Sequence, residues 1–247
     1  ISSISAPSAV SSGKVLLHPI GFTLKGYAEV FKNDQVMRGF LNSLIITFCG
    51  VMVNLIVTLP TSYALSRSNF SGKKPITMFF GGGLIPTYLV IQRLQMLNTI
   101  WALILPGCLS VYNMIVARTF FKSNISEELY EAAEIDGCTQ ARFFFQIALP
   151  LSKAIIAILV LYYGVGHWNS YFSALVYISD KAKYPLQLVL RNILITNQTA
   201  LSQTATTAAA RAALQEKQQL IDVMKYSLII ISSIPVLVMY PLVQKHF

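Results

Sequence analysis

The sequence predicts an all-α polytopic membrane protein, and two observations lead to that prediction. Hydrophobic residues make up 54% of the 247 residues and charged residues only 12%, whereas soluble domains carry about a quarter charged residues. The apolar residues also cluster into runs about as long as the 20 or so residues that a helix needs to cross a membrane. We therefore expect a single transmembrane domain over residues 1–247.

Five runs without Asp, Glu, Lys or Arg predict five membrane spans. They cover residues 40–65, 75–92, 99–117, 154–179 and 226–244. The first run contains polar side chains, among them Asn54 and Thr58. Polar side chains in a membrane helix usually face another helix, so this helix is predicted to lie inside a bundle.

The polar segments between the runs predict the orientation of the chain. The loop at residues 66–74 is short and basic, which favours the cytoplasm. Residues 1–38, with a short helix at 24–31, and residues 180–225, with a short helix at 201–220, then lie outside. These outer segments and the loop after residue 92 hold eleven Lys and Arg against five Asp and Glu. Their balance of +6 would attract an anionic partner: an acidic binding protein, anionic lipid or an acidic sugar such as a uronate oligosaccharide.

An acidic, glycine-broken segment at residues 126–150 separates two of the apolar runs. Such a segment cannot lie in lipid, so it is predicted to project into water as two short helices. Ser126 can cap the first helix, about 126–135, and Gly137 can end it in a left-handed turn. The second helix, about 139–148, is expected to anchor itself to the spans through Phe143, Phe144, Phe145 and Ile147. Leu149 and Pro150 are expected to start the next membrane helix.

The same segment resembles the EAA motif of ABC importer permeases. The matching residues are Glu131, Ala132, Ala133, Asp136, Gly137, Phe144, Ile147, Leu149 and Pro150. Ala154 departs from the pattern, since sugar permeases often have a second proline there. The resemblance covers about residues 21–247 and is closest to the second permease of maltose-type importers. The stretches 81–90, 166–175 and 184–190 resemble a subgroup associated with complex oligosaccharides.

The resemblance implies a type I ABC importer permease (MetI-like) fold with six spans. We therefore expect the first of the six to be missing from the chain, which opens on a Ser-rich segment. It also implies an oligosaccharide importer of the bacterial inner membrane that works by alternating access. The implied partners are a homologous second permease, two ATP-binding subunits, an extracytoplasmic solute-binding protein, membrane lipid and the oligosaccharide. Residues 126–150 would transmit the motion of the ATPase.

The sequence favours a permease over an enzyme. It contains no catalytic constellation, no metal-ligand spacing and no Walker A motif, so ATP and Mg²⁺ would be bound by a partner ATPase. A polytopic membrane enzyme would need clustered ionisable residues near a membrane face, which are missing. A permease of the same fold for another solute stays open. The net charge of +9 does not indicate nucleic-acid binding, because basic residues flank membrane helices.

A short aromatic and polar stretch is the candidate substrate path. Trp168, Asn169, Tyr171 and Phe172 combine rings with amide and hydroxyl groups, as sugar recognition requires. The alternative is an interfacial aromatic belt with an asparagine bonded to a neighbouring helix. His167 is interpreted as a packing histidine.

Overall fold

The computed structural model describes residues 1–13, 15, 18–67, 83–200 and 208–245, with the backbone alone for 196–200, 208–218 and 242. Within these ranges the chain is helical and has no β-strand, as an all-α protein should. Three predicted features fall partly outside the described residues. They are the basic loop at 66–74 from residue 68 onward, the span at 75–92 up to residue 82, and the outer helix at 201–220 up to residue 207.

The described ranges contain twelve α-helices. They are α1 (Pro7–Ser11), α2 (Lys25–Lys32), α3 (Asp34–Ser66), α4 (Leu84–Arg93), α5 (Trp101–Ile104), α6 (Val111–Asn124), α7 (Glu127–Ile135), α8 (Gln140–Leu151, including a π-helical turn at Phe144–Ala148), α9 (Lys153–Trp168), α10 (Tyr171–Tyr177), α11 (Leu186–Ala200) and α12 (Ala208–Gln244).

Two described helices are long and apolar enough to cross a membrane unbroken. They are α3 and the Gln219–Pro241 part of α12, and they correspond to the first and last predicted spans. Two bent pairs could each form one further span, which makes up to four in the described residues. The first eight residues of the predicted span at 75–92 lie outside those residues, and residues 84–92 belong to the ten-residue α4.

The two remaining predicted spans are broken helices. The run at 99–117 bends by 51° between Trp101–Gly107 and α6. The run at 154–179 ends its first helix at Trp168 and resumes at Tyr171.

Leu149 and Pro150 do not start the next membrane helix, which corrects the prediction. They end α8, and α9 starts at Lys153 after a bend of 80°. The bend lies at Ser152, whose φ of −102° and ψ of 24° leave the helical region. Its side chain compensates for the break, since Ser152 Oγ donates to the Ala148 carbonyl at 2.7 Å.

The residues of the chain group into two compact units. One unit comprises Ile1–Ser43 and Ser170–Leu237, and the other comprises Leu44–Asn169 and Val238–Phe247. In the first unit, α3 holds the segment leading into α11. Asn42 Nδ2 donates to the Ala182 and Tyr184 carbonyls, and Ser43 Oγ accepts from the Leu186 amide at 2.8 Å.

In the second unit, one face of α3 is joined to α6 and α9 by polar side chains. Asn54, Thr58 and Ser62 are fully buried and lie four residues apart, so they share a face. Thr58 Oγ1 lies 2.7 Å from Tyr163 Oη, and Ser62 Oγ donates to the Met114 carbonyl at 3.1 Å. The prediction that Asn54 and Thr58 face other helices is confirmed.

Asn54 carries a second pair of contacts on this face. Its Nδ2 donates to the Gly107 carbonyl at 2.6 Å, and its Oδ1 lies 2.7 Å from His167 Nε2. Because the amide nitrogen is used by Gly107, the oxygen faces the imidazole and His167 Nε2 is the donor. Gly50, one turn earlier, gives the ring its space, because a Cβ there would lie 2.5 Å from His167 Nε2. His167 is therefore the packing residue that the sequence predicts.

Candidate functional site

The coupling element (residues 126–150) begins with a well-capped helix. Ser126 Oγ accepts from the Leu129 amide at 3.3 Å, which satisfies one of the amides that a helix start leaves free. Glu127 and Glu128 lie in the first turn, where the helix dipole favours negative charge. The predicted start and cap of this helix are thus confirmed.

The first helix ends in a Schellman motif centred on Gly137. The Gly137 amide donates to the Glu134 carbonyl at 3.0 Å, and the Cys138 amide donates to the Ala133 carbonyl at 2.9 Å. Gly137 has a φ of +75°, the left-handed conformation that glycine adopts without steric cost. No atom lies within 4 Å of a Cβ built at this position, so only the backbone conformation demands glycine.

The second helix, α8, anchors the coupling element through two of its three consecutive phenylalanines. Thr139 caps it by accepting from the Arg142 amide. Phe143 and Phe144 are buried, whereas Phe145 is 65% exposed. The prediction that Phe145 also anchors the helix is wrong, because successive residues rotate by about 100° around a helix and three in a row cannot share one face.

Five aromatic rings join the coupling element to α3 and α6. We call this set the aromatic box: it consists of Tyr63, Phe121, Tyr130, Phe143 and Phe144. Tyr63 from α3 lies at its centre, with ring centroids 5.7 Å from Phe121, 5.0 Å from Phe144 and 6.4 Å from Phe143. Tyr130 from α7 completes it by an edge contact with Phe143 at 5.3 Å.

Arg67, the last described residue before the gap at 68–82, lies against three rings of the box. Its Cζ is 4.8 Å from the ring centroid of Tyr63, 4.6 Å from that of Tyr130 and 5.3 Å from that of Phe143. Its Nη2 also donates to Tyr63 Oη at 3.0 Å. A cation over desolvated rings gains about 2 kcal/mol, so Arg67 holds both coupling helices to the end of α3.

The exposed tip of the coupling element is acidic with an apolar residue at its centre. Glu131, Ala132, Asp136 and Gly137 are exposed, and Ile135 is 86% exposed. Large apolar side chains surrounded by polar groups on a projecting surface are typical of a docking site.

Three other residues predicted for coupling lie away from this tip. Ala133 and Leu149 are half-buried against the hydrophobic core of their unit. Pro150 is exposed and precedes the bend at Ser152. These residues thus belong to the attachment of the coupling element to the rest of the unit.

Sequence reasoning missed Arg67 and Ile135. No local pattern could have revealed Arg67, because two of its ring partners lie more than sixty positions further along the chain. Ile135 could have been noticed as a large apolar residue next to the turn of an otherwise polar segment.

The four candidate substrate-path residues have different environments. Trp168 is 1% exposed and packs in the interior. Asn169 ends α9, its Nδ2 donating to the Val165 carbonyl at 3.0 Å. Tyr171 and Phe172 are about half exposed, and their rings contact edge-on with centroids 6.5 Å apart. Tyr171 lines a cavity in the unit formed by residues 1–43 and 170–237.

No group of three or more His, Cys, Asp or Glu side chains that could hold a metal ion is found within the described ranges.

Comparison with known proteins identifies the family. The model of the family described as "Binding-protein-dependent transport system inner membrane component" matches residues 31–247. The polygalacturonan/rhamnogalacturonan transport system permease protein YtcP of Bacillus subtilis (strain 168) is 37% identical over 244 residues, which cover 96% of this chain and 83% of YtcP. Protein LplC of the same organism is 39% identical over 251 residues, which cover 99% of this chain and 82% of LplC.

A solved structure supports the same assignment. A bacterial ABC transporter involved in the import of the acidic polysaccharide alginate contains a chain that superposes with a TM-score of 0.85 at 29% sequence identity. The match covers 100% of this chain and 87% of that one. The MetI-like permease fold expected from the EAA motif is thereby confirmed, and this chain belongs to the family of binding-protein-dependent transport system inner membrane components, the permease subunits of ABC importers.

Proposed function

We propose that this chain is the permease subunit of a bacterial inner-membrane importer that moves acidic oligosaccharides by alternating access. The coupling element is the observation that best supports the permease role. It consists of two capped helices with an exposed acidic tip, and aromatic contacts attach it to α3. A chain with this element converts the movement of a docked partner into movement of its membrane helices.

The proposed docking residues are those exposed at the tip. Glu131, Ala132, Asp136 and Gly137 would contact a groove on the ATPase, with Ile135 filling an apolar pocket in it. Ala132 allows the partner close approach because its side chain is small. Ala133, Leu149 and Pro150 would transmit the force, because they lie where the element joins the rest of its unit.

The proposed assembly contains a homologous second permease, two ATP-binding subunits and an extracytoplasmic solute-binding protein. ATP and Mg²⁺ are assigned to the ATP-binding subunits, since this sequence contains no Walker A motif. Such a permease is a multi-pass protein of the inner membrane in contact with lipid, and it would catalyse no reaction of its own.

The proposed substrate class combines two observations. Two of the similar proteins are described by acidic polysaccharides, polygalacturonan/rhamnogalacturonan for one and alginate for the other. The predicted outer segments of this chain carry an excess of six positive charges, which would concentrate an anionic sugar near the entrance. A neutral oligosaccharide or another solute is the competing assignment.

Substitution at Gly137 tests the coupling role. Valine resists the left-handed conformation, so Gly137→Val should abolish substrate-stimulated ATP hydrolysis by the complete reconstituted transporter. Gly137→Asn is the matched control, because asparagine tolerates this conformation and should retain most of the stimulation. Equal stimulation in Gly137→Val and wild type, with normal membrane insertion of both, would refute the assignment.

A further inference from the structure

A cavity of about 560 Å³ lies in the unit formed by residues 1–43 and 170–237. Its walls come from the start of α10, one face of α11 and the part of α12 between residues 225 and 232. Most of its lining is apolar, with a few polar side chains, the composition that is typical of small-molecule sites.

Two cations from different helices line this cavity. Arg191 from α11 and Lys225 from α12 both line it, and its lining contains no Asp or Glu. Among the described residues the ion pairs are Lys32–Glu29 and Lys183–Asp180, so neither cavity cation is neutralised by a described carboxylate. An anion that enters the cavity would be attracted by both charges.

The polar groups around the two cations suit a sugar. Tyr171 offers an aromatic face for the C–H surface of a pyranose ring, and Gln187 carries an amide group. Ser232 Oγ, which donates to the Ile229 carbonyl at 2.9 Å, can still accept from a sugar hydroxyl. The guanidinium of Arg191 has the planar fork of donors that binds a carboxylate through two parallel hydrogen bonds.

The cavity walls are held in place by neighbouring segments of the same unit. The start of α11 is fixed by Ser43, which accepts from the Leu186 amide. It also packs on Gly39, where a Cβ would lie 3.3 Å from Leu186 Cα. The part of α12 that lines the cavity packs against α2 at Gly26, where a Cβ would lie 2.6 Å from Ser227 Oγ. The site is thus formed before a ligand arrives, which lowers the entropic cost of binding.

We propose that this cavity binds one uronate unit of the transported oligosaccharide. Arg191 and Lys225 bind its carboxylate, and Tyr171 packs against its ring. This inference rests on the proposed function, because it needs an acidic sugar as substrate. It places a charge-selective step in this subunit, on the side of the membrane where residues 180–225 are predicted to lie.

The test compares an acidic sugar with its neutral counterpart in the complete transporter reconstituted in phosphatidylcholine vesicles. The probes are trigalacturonate and its fully methyl-esterified form, which have the same length and differ in charge. The variant is Arg191→Gln/Lys225→Gln. The control is Arg38→Gln/Lys181→Gln, which removes the same charges from exposed outer positions that do not line the cavity. The measurement is the sugar concentration that half-maximally stimulates ATP hydrolysis.

For trigalacturonate this concentration should rise at least about tenfold in the cavity variant, the loss expected for a charge-assisted hydrogen bond. In the control, the half-maximal concentration of trigalacturonate should stay within about twofold of the wild-type value. The half-maximal concentration of the methyl ester should stay within about twofold of the wild-type value in every variant. Arg191→Lys, which keeps the charge, should give an intermediate value. Equal responses of the cavity variant and the control to trigalacturonate would overturn the inference.

Two further outcomes separate this inference from its rivals. If neither sugar stimulates the wild type while another solute does, the proposed function fails as well. A second set of vesicles contains anionic phosphatidylglycerol in addition to phosphatidylcholine. If the cavity variant loses stimulation of ATP hydrolysis by both sugars equally, and only in these vesicles, the cavity is assigned to a lipid phosphate and the uronate site is overturned. If the cavity variant fails to assemble, Arg191→Lys/Lys225→Gln replaces it. Its half-maximal concentration of trigalacturonate should exceed that of the control, and an equal value would overturn the inference.

Discussion

The guanidinium carbon of Arg67 lies 4.6 Å from the ring centroid of Tyr130. One residue directly follows the membrane-length helix α3, and the other lies in the first coupling helix. Because Arg67 also contacts Tyr63 and Phe143, this single side chain links α3 to both coupling helices. A displacement of the coupling element must therefore move the end of α3 or break these contacts.

Arg67→Met should weaken this link while keeping the volume of the side chain. We expect a lower midpoint of thermal unfolding in detergent and a several-fold loss of substrate-stimulated ATP hydrolysis, since the lost cation–π contacts contribute about 2 kcal/mol. Arg93→Met is the control, because Arg93 is exposed. Unchanged stimulation in Arg67→Met would show that the coupling element moves independently of α3.

Ile135→Ser should weaken binding of the ATPase without destabilising the permease. The side chain is 86% exposed, and substitutions at such positions change stability by only about 0.5 kcal/mol, whereas a buried apolar anchor at an interface contributes about 2 kcal/mol or more. The dissociation constant of the purified ATPase should rise about tenfold or more. Phe22→Ser is the control, because Phe22 is 71% exposed and lies in the predicted outer segment. It should leave the dissociation constant of the ATPase unchanged. An equal effect of both substitutions would argue against docking at Ile135.

Gly50→Ala should strongly destabilise the protein, because the added Cβ would lie 2.5 Å from His167 Nε2. The ring cannot move away without leaving Asn54 Oδ1, and a buried polar group without a partner costs about 1–3 kcal/mol. Gly166→Ala is the control in α9, since no atom lies within 4 Å of its Cβ. A clearly lower midpoint of thermal unfolding is expected for Gly50→Ala alone, and equal midpoints would contradict the packing described for α3 and α9.

The orientation of the chain can be measured by cysteine labelling. In a variant whose Cys49, Cys108 and Cys138 are replaced by serine, Glu128→Cys should react with an impermeant maleimide only from the cytoplasmic side. Lys181→Cys should react only from the outside. Both side chains are exposed, so accessibility does not limit the reaction, and labelling of both from one side would show that the predicted orientation is wrong.

Features that depend on neighbouring residues could be predicted from the amino-acid sequence. The helical class follows from long apolar runs, and the first coupling helix follows from Ser126 at its start and Gly137 at its end. These signals are local, because a cap and a left-handed glycine act within one turn of the helix. The EAA spacing around Gly137 was therefore sufficient to predict both the element and the family.

Features that depend on residues distant in the sequence became visible in the three-dimensional structure. The break at Ser152, the outward position of Phe145 and the ring contacts of Arg67 depend on how helices pack, since a side chain gains from burial only where another segment covers it. Arg191 and Lys225 are ordinary basic residues in the sequence. They become a candidate carboxylate site because α11 and α12 line the same cavity, a relationship that no local pattern in the chain encodes.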